Sequence, residues 1–231
     1  MLVLSVWSSL GSSKDLTLCR ATNNSPLVLT RDITTENPVV TLVTNRDFIP
    51  DVIALATSLH VTNRNTSLLC LVSKKIASKD QALLHRYCAE VKLFSPLKMT
   101  LSQKLKHLKW HRTGEMIMAV NKIQIWNLNE DSHEQLKKKC LYVDADCLAI
   151  RNLDKFKKMQ ELSAVKGPTK SIINSGVIAF EPSNTTFNKI IEFHASGKFP
   201  SGFGDQAVIG NFFKNKNKIN FMEGMMVEKT N

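Results

Sequence analysis

Asp144 and Asp146 stand one residue apart, directly after Leu141, Tyr142 and Val143. The apolar, β-preferring triplet predicts a short buried strand. Residues i and i+2 at a strand end project to one side. Both acids would then leave the carboxyl end of a strand, where open α/β sheets bind ligands. Two like charges held together are costly unless a cation joins them. All-oxygen ligation suits a hard divalent ion, Mn²⁺ or Mg²⁺, of the kind that carries nucleotide phosphates. An isolated Asp-x-Asp is also a common solvated exit from a strand, so the surrounding elements must decide.

Those elements read as an alternation of strands and helices after a leader, residues 1–37, rich in Ser, Thr and Asn and without periodicity. Strands are predicted at 39–44, 67–72, 91–94, 140–144, 162–165 and 174–180. Helices are predicted at 50–62, with Pro50 in its first turn, at 78–89 with Ser78 as N-cap, and at 113–127. Further helices follow at 187–194 and 206–213, with a short one after Asn152. The helix at 113–127 carries an apolar stripe of Met116, Ala119, Val120, Ile123 and Trp126, and Lys122 falls off it. Residues 95–111 read as a basic loop, and 219–231 show no clear element. The alternation implies a single α/β domain over 38–231 with a mostly parallel sheet flanked by helices.

With 43% hydrophobic and 22% charged residues, the 231-residue chain reads as an ordinary globular domain. Its formal charge of +11 is spread along the chain. No interleaved aromatics or zinc spacing accompany it, so nucleic acid is not the expected partner. A basic face would also suit an anionic sugar nucleotide or an acidic glycan. The five cysteines, Cys19, Cys70, Cys88, Cys140 and Cys147, show no C-x-x-C spacing. Cys70 and Cys140 lie in apolar strand patterns and read as core residues. Sequons occur at Asn23, Asn65 and Asn184.

Neither a G-x-G-x-x-G nor a G-x-x-x-x-G-K-[ST] follows the first strand of the domain, which disfavours a dinucleotide oxidoreductase and a P-loop enzyme. That strand ends instead in Thr44, Asn45, Arg46, Asp47 and Phe48. Thr44 and Asn45 can bond a base or ribose edge and Phe48 can stack on a base; a plain turn capped by Asn45 is the alternative. Five features then recur in order: Thr41 to Asn45, Asn121-Lys122 before Trp126, Leu141 to Asp146, Asn174-Ser-Gly-Val177 and Gly204-Asp-Gln206. Asn152-Leu-Asp154 follows the third. This ordered set, over about residues 38–222, resembles glycosyltransferase family 8, the glycogenin-like enzymes. The segment Ile173 to Phe187 looks most like the plant branch that includes xylan glucuronosyltransferases.

The resemblance implies a GT-A type, Rossmann-like fold and a metal-dependent transfer, with retention, of a sugar from a UDP-sugar to a glycan. Glucuronosyl transfer onto xylan is the favoured specific case and glycogenin-like glucosyl transfer the alternative. By the same resemblance Leu42, Thr44, Asn45 and Phe48 hold the uridine, Asp144 and Asp146 the metal, and Ala145 lies near the ribose. Asn174, Ser175 and Gly176 line the sugar and acceptor side. Lys122 meets the donor sugar or phosphates, with Arg112 a weaker candidate on that side. Asp205 and Gln206 lie beneath the anomeric carbon. Asp205 can equally cap the helix it opens.

A later segment of the family, whose His completes the metal shell and whose Lys meets the diphosphate, has no counterpart here, since no His follows His194. A truncated, non-catalytic nucleotide-sugar-binding domain is therefore a further alternative. Glycogenins glucosylate one of their own tyrosines. Tyr87 and Tyr142, the two tyrosines present, both fall in predicted core elements, which favours an external acceptor. A homodimer is compatible with the resemblance. The Golgi lumen is the implied location, although no membrane anchor is visible; without a preceding signal or anchor the location would be cytoplasmic.

Overall fold

The structure, a computed structural model, describes residues 2–6, 37–98, 120–130, 139–167, 173–200, 204–216, 218–222 and 225–229. Arg112, Cys19, the Asn23 sequon, most of the basic loop and the first part of the helix expected at 113–127 lie outside them.

Seven strands form the main sheet, in the order β4-β3-β2-β5-β7-β6-β8. They are β2 (Val39–Val43), β3 (Leu68–Ser73), β4 (Glu90–Phe94), β5 (Cys140–Val143), β6 (Ser163–Lys166), β7 (Ile173–Phe180) and β8 (Asn220–Phe221). The β4-β3-β2-β5 half is parallel, whereas β7 runs antiparallel to both β5 and β6. β2, β3 and β5 are buried on both faces, and their residues alternate between two cores, whereas β4 is the partly exposed edge. Val39, Val43, Cys70, Val72, Leu141 and Val143 pack with helix α1 (Ile49–Thr62) on one face. Val40, Leu42, Leu69, Leu71, Cys140 and Tyr142 pack on the other. The second face is covered by α4 (Asn184–Ser196) and α5 (Gly204–Lys214), together with the segment Val120–Glu130. Helices α2 (Ser78–Leu84) and α3 (Asp154–Lys157) are short. The ends of the chain, read as without elements, carry β1 (Leu2–Val6) and β9 (Met225–Lys229). These pair in parallel with one another, a long-range contact that local periodicity cannot display. No helix among the described residues is long and apolar enough to cross a membrane.

Three local expectations are corrected. Ala77, not Ser78, occupies the N-cap of α2, with no side-chain cap bond, and α2 ends at Leu84. Cys70 is more than a core residue: its sulfur is bonded to Cys88, tying β3 to the chain just before β4. The described part of the helix expected at 113–127 is a 3₁₀ segment, Val120–Glu130, interrupted at Asn127. Every residue from Val120 to Trp126 is buried, so packing on all sides rather than one amphipathic stripe fixes this geometry. Three residues per turn stack Val120, Ile123 and Trp126 toward the core. Two polar residues of the segment, Asn121 and Gln124, bond to distant parts of the chain. Leu97 N donates to Asn121 Oδ1 at 2.7 Å, and Gln124 Nε2 donates to the Ser95 carbonyl at 3.2 Å.

Candidate active site

β5 ends at Val143, and Asp144 to Cys147 form a turn closed by Cys147 N donating to the Asp144 carbonyl at 3.2 Å. The relation between the two acids is thus set by a turn, not by continued strand alternation. The loop after them is fastened to α1. Ala149 N donates to Ser58 Oγ at 2.9 Å, Asn63 Nδ2 donates to the Arg151 carbonyl at 3.0 Å, and Leu153 N donates to Asn63 Oδ1 at 2.7 Å. Asn63, which the sequence reading passed over, therefore holds the carboxylate loop from below.

Lys122 lies at the centre, with its side chain 7% exposed. Its Nζ is 2.9 Å from Asp144 Oδ1 and 2.9 Å from Asp205 Oδ2. It also donates to the Ser175 carbonyl at 3.0 Å and approaches Ser175 Oγ at 3.2 Å. Four protein acceptors thus surround an ammonium with three protons. Ser175 Oγ in turn donates to Asp205 Oδ2 at 2.5 Å. A lysine that an α-helical reading places off the apolar stripe is in fact the link among the sheet, the 3₁₀ segment and α5. Burial alone would pull the Lys122 ammonium down, but Asp144 and Asp205 outweigh it and hold the pKa well up.

Tyr142, read as a core residue, also enters the site, and its spacing two residues before Asp144 is the signal that could have found it. Its hydroxyl donates to Asp144 Oδ1 at 2.7 Å, and Lys122 Nζ lies 4.9 Å from its ring centre. Asp146 is less well compensated. Burial and the neighbouring Asp144 carboxylate push its pKa from 3.8 to about 6, against the opposing pull of Lys122.

At the start of β7, Asn174 is half-buried and its Oδ1 accepts from Gly176 N at 2.8 Å. A Cβ at Gly176 would lie 3.0 Å from Asn174 Oδ1 and 3.1 Å from Asp144 Oδ2, so a glycine here lets both oxygens pack close to the backbone. Asp205 is in the first turn of α5 rather than before it, and its carboxylate faces Lys122 and Ser175. Gln206 follows it, half-buried. At the other side of the site, Leu42 and Thr44 are buried at the end of β2. Asn45 is exposed and caps a 3₁₀ turn, Arg46–Phe48, accepting from Asp47 N at 2.9 Å. Phe48 is half-buried against the α1 face of the core, and Ala145 is buried between the two acids.

Among the described residues no group of three His, Cys, Asp or Glu side chains could hold a metal ion. The charge balance nonetheless fits a divalent cation. Three carboxylates, Asp144, Asp146 and Asp205, and one ammonium leave two negative charges, and the Asp144 side chain stays partly exposed with Oδ2 beside Gly176. Two carboxylates with the remaining ligands drawn from diphosphate and water form an ordinary donor set for Mg²⁺ or Mn²⁺.

No family model matches the chain. It is 28% identical to human Glycogenin-1 over 181 residues, which are 78% of this chain and 49% of that protein. It is 25% identical to UDP-glucuronate:xylan alpha-glucuronosyltransferase 1 of Arabidopsis thaliana over 166 residues, 72% of this chain and 23% of the relative. The chain spans about half the length of the glycogenins it matches, or less. The glycosyltransferase GlyE of Streptococcus pneumoniae superposes with a TM-score of 0.56 at 15% identity, over 82% of this chain and 46% of that one. Such a likeness shows the fold. The homologues of the chain are glycogenins and plant UDP-glucuronate:xylan glucuronosyltransferases, at modest identity, and the chain is glycogenin-like, with the GT-A fold of glycosyltransferases.

Proposed function

We propose that the protein is a metal-dependent, retaining glycosyltransferase that moves a sugar from a UDP-sugar to a glycan. The observation that carries this reading is the convergence on Lys122 of Asp144 from β5, Ser175 from β7 and Asp205 from α5. Three separate elements deliver two carboxylates and a serine to the carboxyl end of the parallel strands, where a donor would lie. In this reading Asp144 and Asp146 hold Mn²⁺, with Mg²⁺ as the alternative, and the ion when bound neutralises the departing diphosphate. Asn174, Ser175 and Gly176 line the sugar and acceptor side. Asp205 and Gln206 oppose the positive charge that develops at the anomeric carbon. Lys122 holds Asp205 in place while cancelling part of its charge. Thr44, Asn45 and Phe48 receive the uridine with Leu42 behind them, and Ala145 borders the ribose.

The xylan glucuronosyltransferase relatives and the basic balance of the chain support glucuronosyl transfer to a xylan-type acceptor. The similarity to glycogenins supports glucosyl transfer as the second reading. The Cys70–Cys88 bond supports an oxidising, Golgi-type lumen, since cytosolic thiols are kept reduced. The test is UDP release with Mn²⁺ across a panel of UDP-sugars, with UDP-glucuronic acid and UDP-glucose first, for the wild type and Asp146→Ala. Turnover with one donor, lost in the variant and without metal, is the expected result. Absence of both turnover and UDP binding would remove the donor-site reading.

A further inference from the structure

The two oxygens of Asp144 are not equivalent. Oδ1 receives both the Tyr142 hydroxyl, at 2.7 Å, and the Lys122 ammonium, at 2.9 Å. Oδ2 lies beside the Gly176 backbone and takes neither donor, while the Asp144 side chain as a whole is 32% exposed. Tyr142 faces the same side of β5 as Asp144, two residues on, and is 2% exposed, so its hydroxyl has a fixed place beneath the carboxylate. A carboxylate rotates freely unless something holds one oxygen. Here two buried donors from different elements hold the same one.

We propose that Tyr142 is a positioning residue of the cation site: with Lys122 it takes up Asp144 Oδ1, so that Oδ2 alone is presented to a divalent cation. This rests on the reading of Asp144 and Asp146 as the cation pair. A cation ligand pre-set in one rotation binds without the cost of ordering it, and hydrogen-bonded partners of metal ligands typically carry 10–100-fold in metal affinity.

The test uses Mn²⁺ itself and the full chain. Free and bound Mn²⁺ are measured by electron paramagnetic resonance in the presence of UDP, for wild type, Asp146→Ala and Tyr142→Phe. Tyr142→Phe keeps the ring under Lys122 and removes only the hydroxyl. The expected result is Mn²⁺ bound by wild type, lost in Asp146→Ala, and weakened about tenfold or more in Tyr142→Phe, with the native circular-dichroism spectrum retained. In turnover, the same variant raises the half-saturating Mn²⁺ concentration more than it lowers kcat at saturating metal. Wild-type affinity in Tyr142→Phe, with Asp146→Ala still defective, would remove the role of Tyr142 and leave the cation site standing. No Mn²⁺ binding by wild type would remove both. Should Tyr142→Phe fail to fold, fluorotyrosine-labelled Tyr87→Phe protein reports Tyr142 alone. Its ¹⁹F resonance shifts on Mg²⁺ saturation if the hydroxyl is coupled to the cation ligand, and an unshifted line at saturation overturns the proposal.

Discussion

The two sides of the candidate site are built on opposite principles. At Thr44 to Phe48 the chain leaves β2 and turns at once, with Asn45 exposed and bonded only to its own neighbourhood. Around Lys122 nothing is local. Its partners lie 22 to 83 residues away in sequence and on three other elements. The first corner can meet a ligand without disturbing the fold. The second is part of the fold, so its chemistry and its stability cannot be separated. Recognition of the common part of a donor suits an open corner. Positioning of a reacting centre suits a buried lattice in which each charge is held by another.

The sharpest way to break this contrast is Lys122→Met, which leaves Asp144 and Asp205 facing each other without their cation. Removing one partner of a buried pair costs about 3–5 kcal/mol. Because the Asp144 side chain is about one-third exposed, the loss should fall near the lower end. Urea unfolding of the metal-free protein measures it, and a loss below about 1 kcal/mol would show that the lattice does not support the fold.

A smaller effect is read by pH at Asp146. The carboxyl of Asp146 is raised from 3.8 to about 6, so the folded state holds that proton more tightly than the unfolded one. Its contribution to the metal-free protein is therefore fully present below pH 3.8 and is lost as pH rises through about 6. Mn²⁺ binding has the opposite sign, since the metal needs the carboxylate and its affinity falls as pH drops below about 6. Melting curves with and without Mn²⁺ should thus diverge between pH 5 and 7 (about one unit either side of that value). Asp146→Asn should abolish the divergence.

The smallest effect belongs to the open corner. Asn45→Ala removes the bond to Asp47 N and should cost about 0.5–1 kcal/mol or less, in keeping with an exposed cap. It should weaken UDP binding by a larger factor than it lowers stability. Equal losses at both corners would dissolve the distinction between them.

The sequence made the open corner easy to read and the buried centre hard, for the same reason. The strands at 39–43, 68–73, 90–94, 140–143 and 173–180 announce themselves by apolar runs, and the Asn45 cap by its own neighbours. Lys122 could be placed in a motif but not in space. A period of 3.6 puts it off the buried stripe, whereas the 3₁₀ segment is buried on every side and turns it onto Asp144 and Asp205. Cys70 and Cys88 meet because β3 and the approach to β4 are neighbours, a relation that lies in the pairing of strands and not in either local pattern. Tyr142 was hidden differently: its ring belongs to the core and only its hydroxyl to the site.

The 3₁₀ segment also governs which kinds of genetic change the chain can absorb. Three residues complete its turn, so removing or adding a single residue between Val120 and Lys122 rotates the rest of the segment by about a third of a revolution. A substitution there alters the contacts of one residue. An in-frame deletion of one codon instead exchanges all the faces at once, bringing Ile123 toward the carboxylates and a polar residue toward the core. For this stretch the count of residues is a stricter inheritance than their identity.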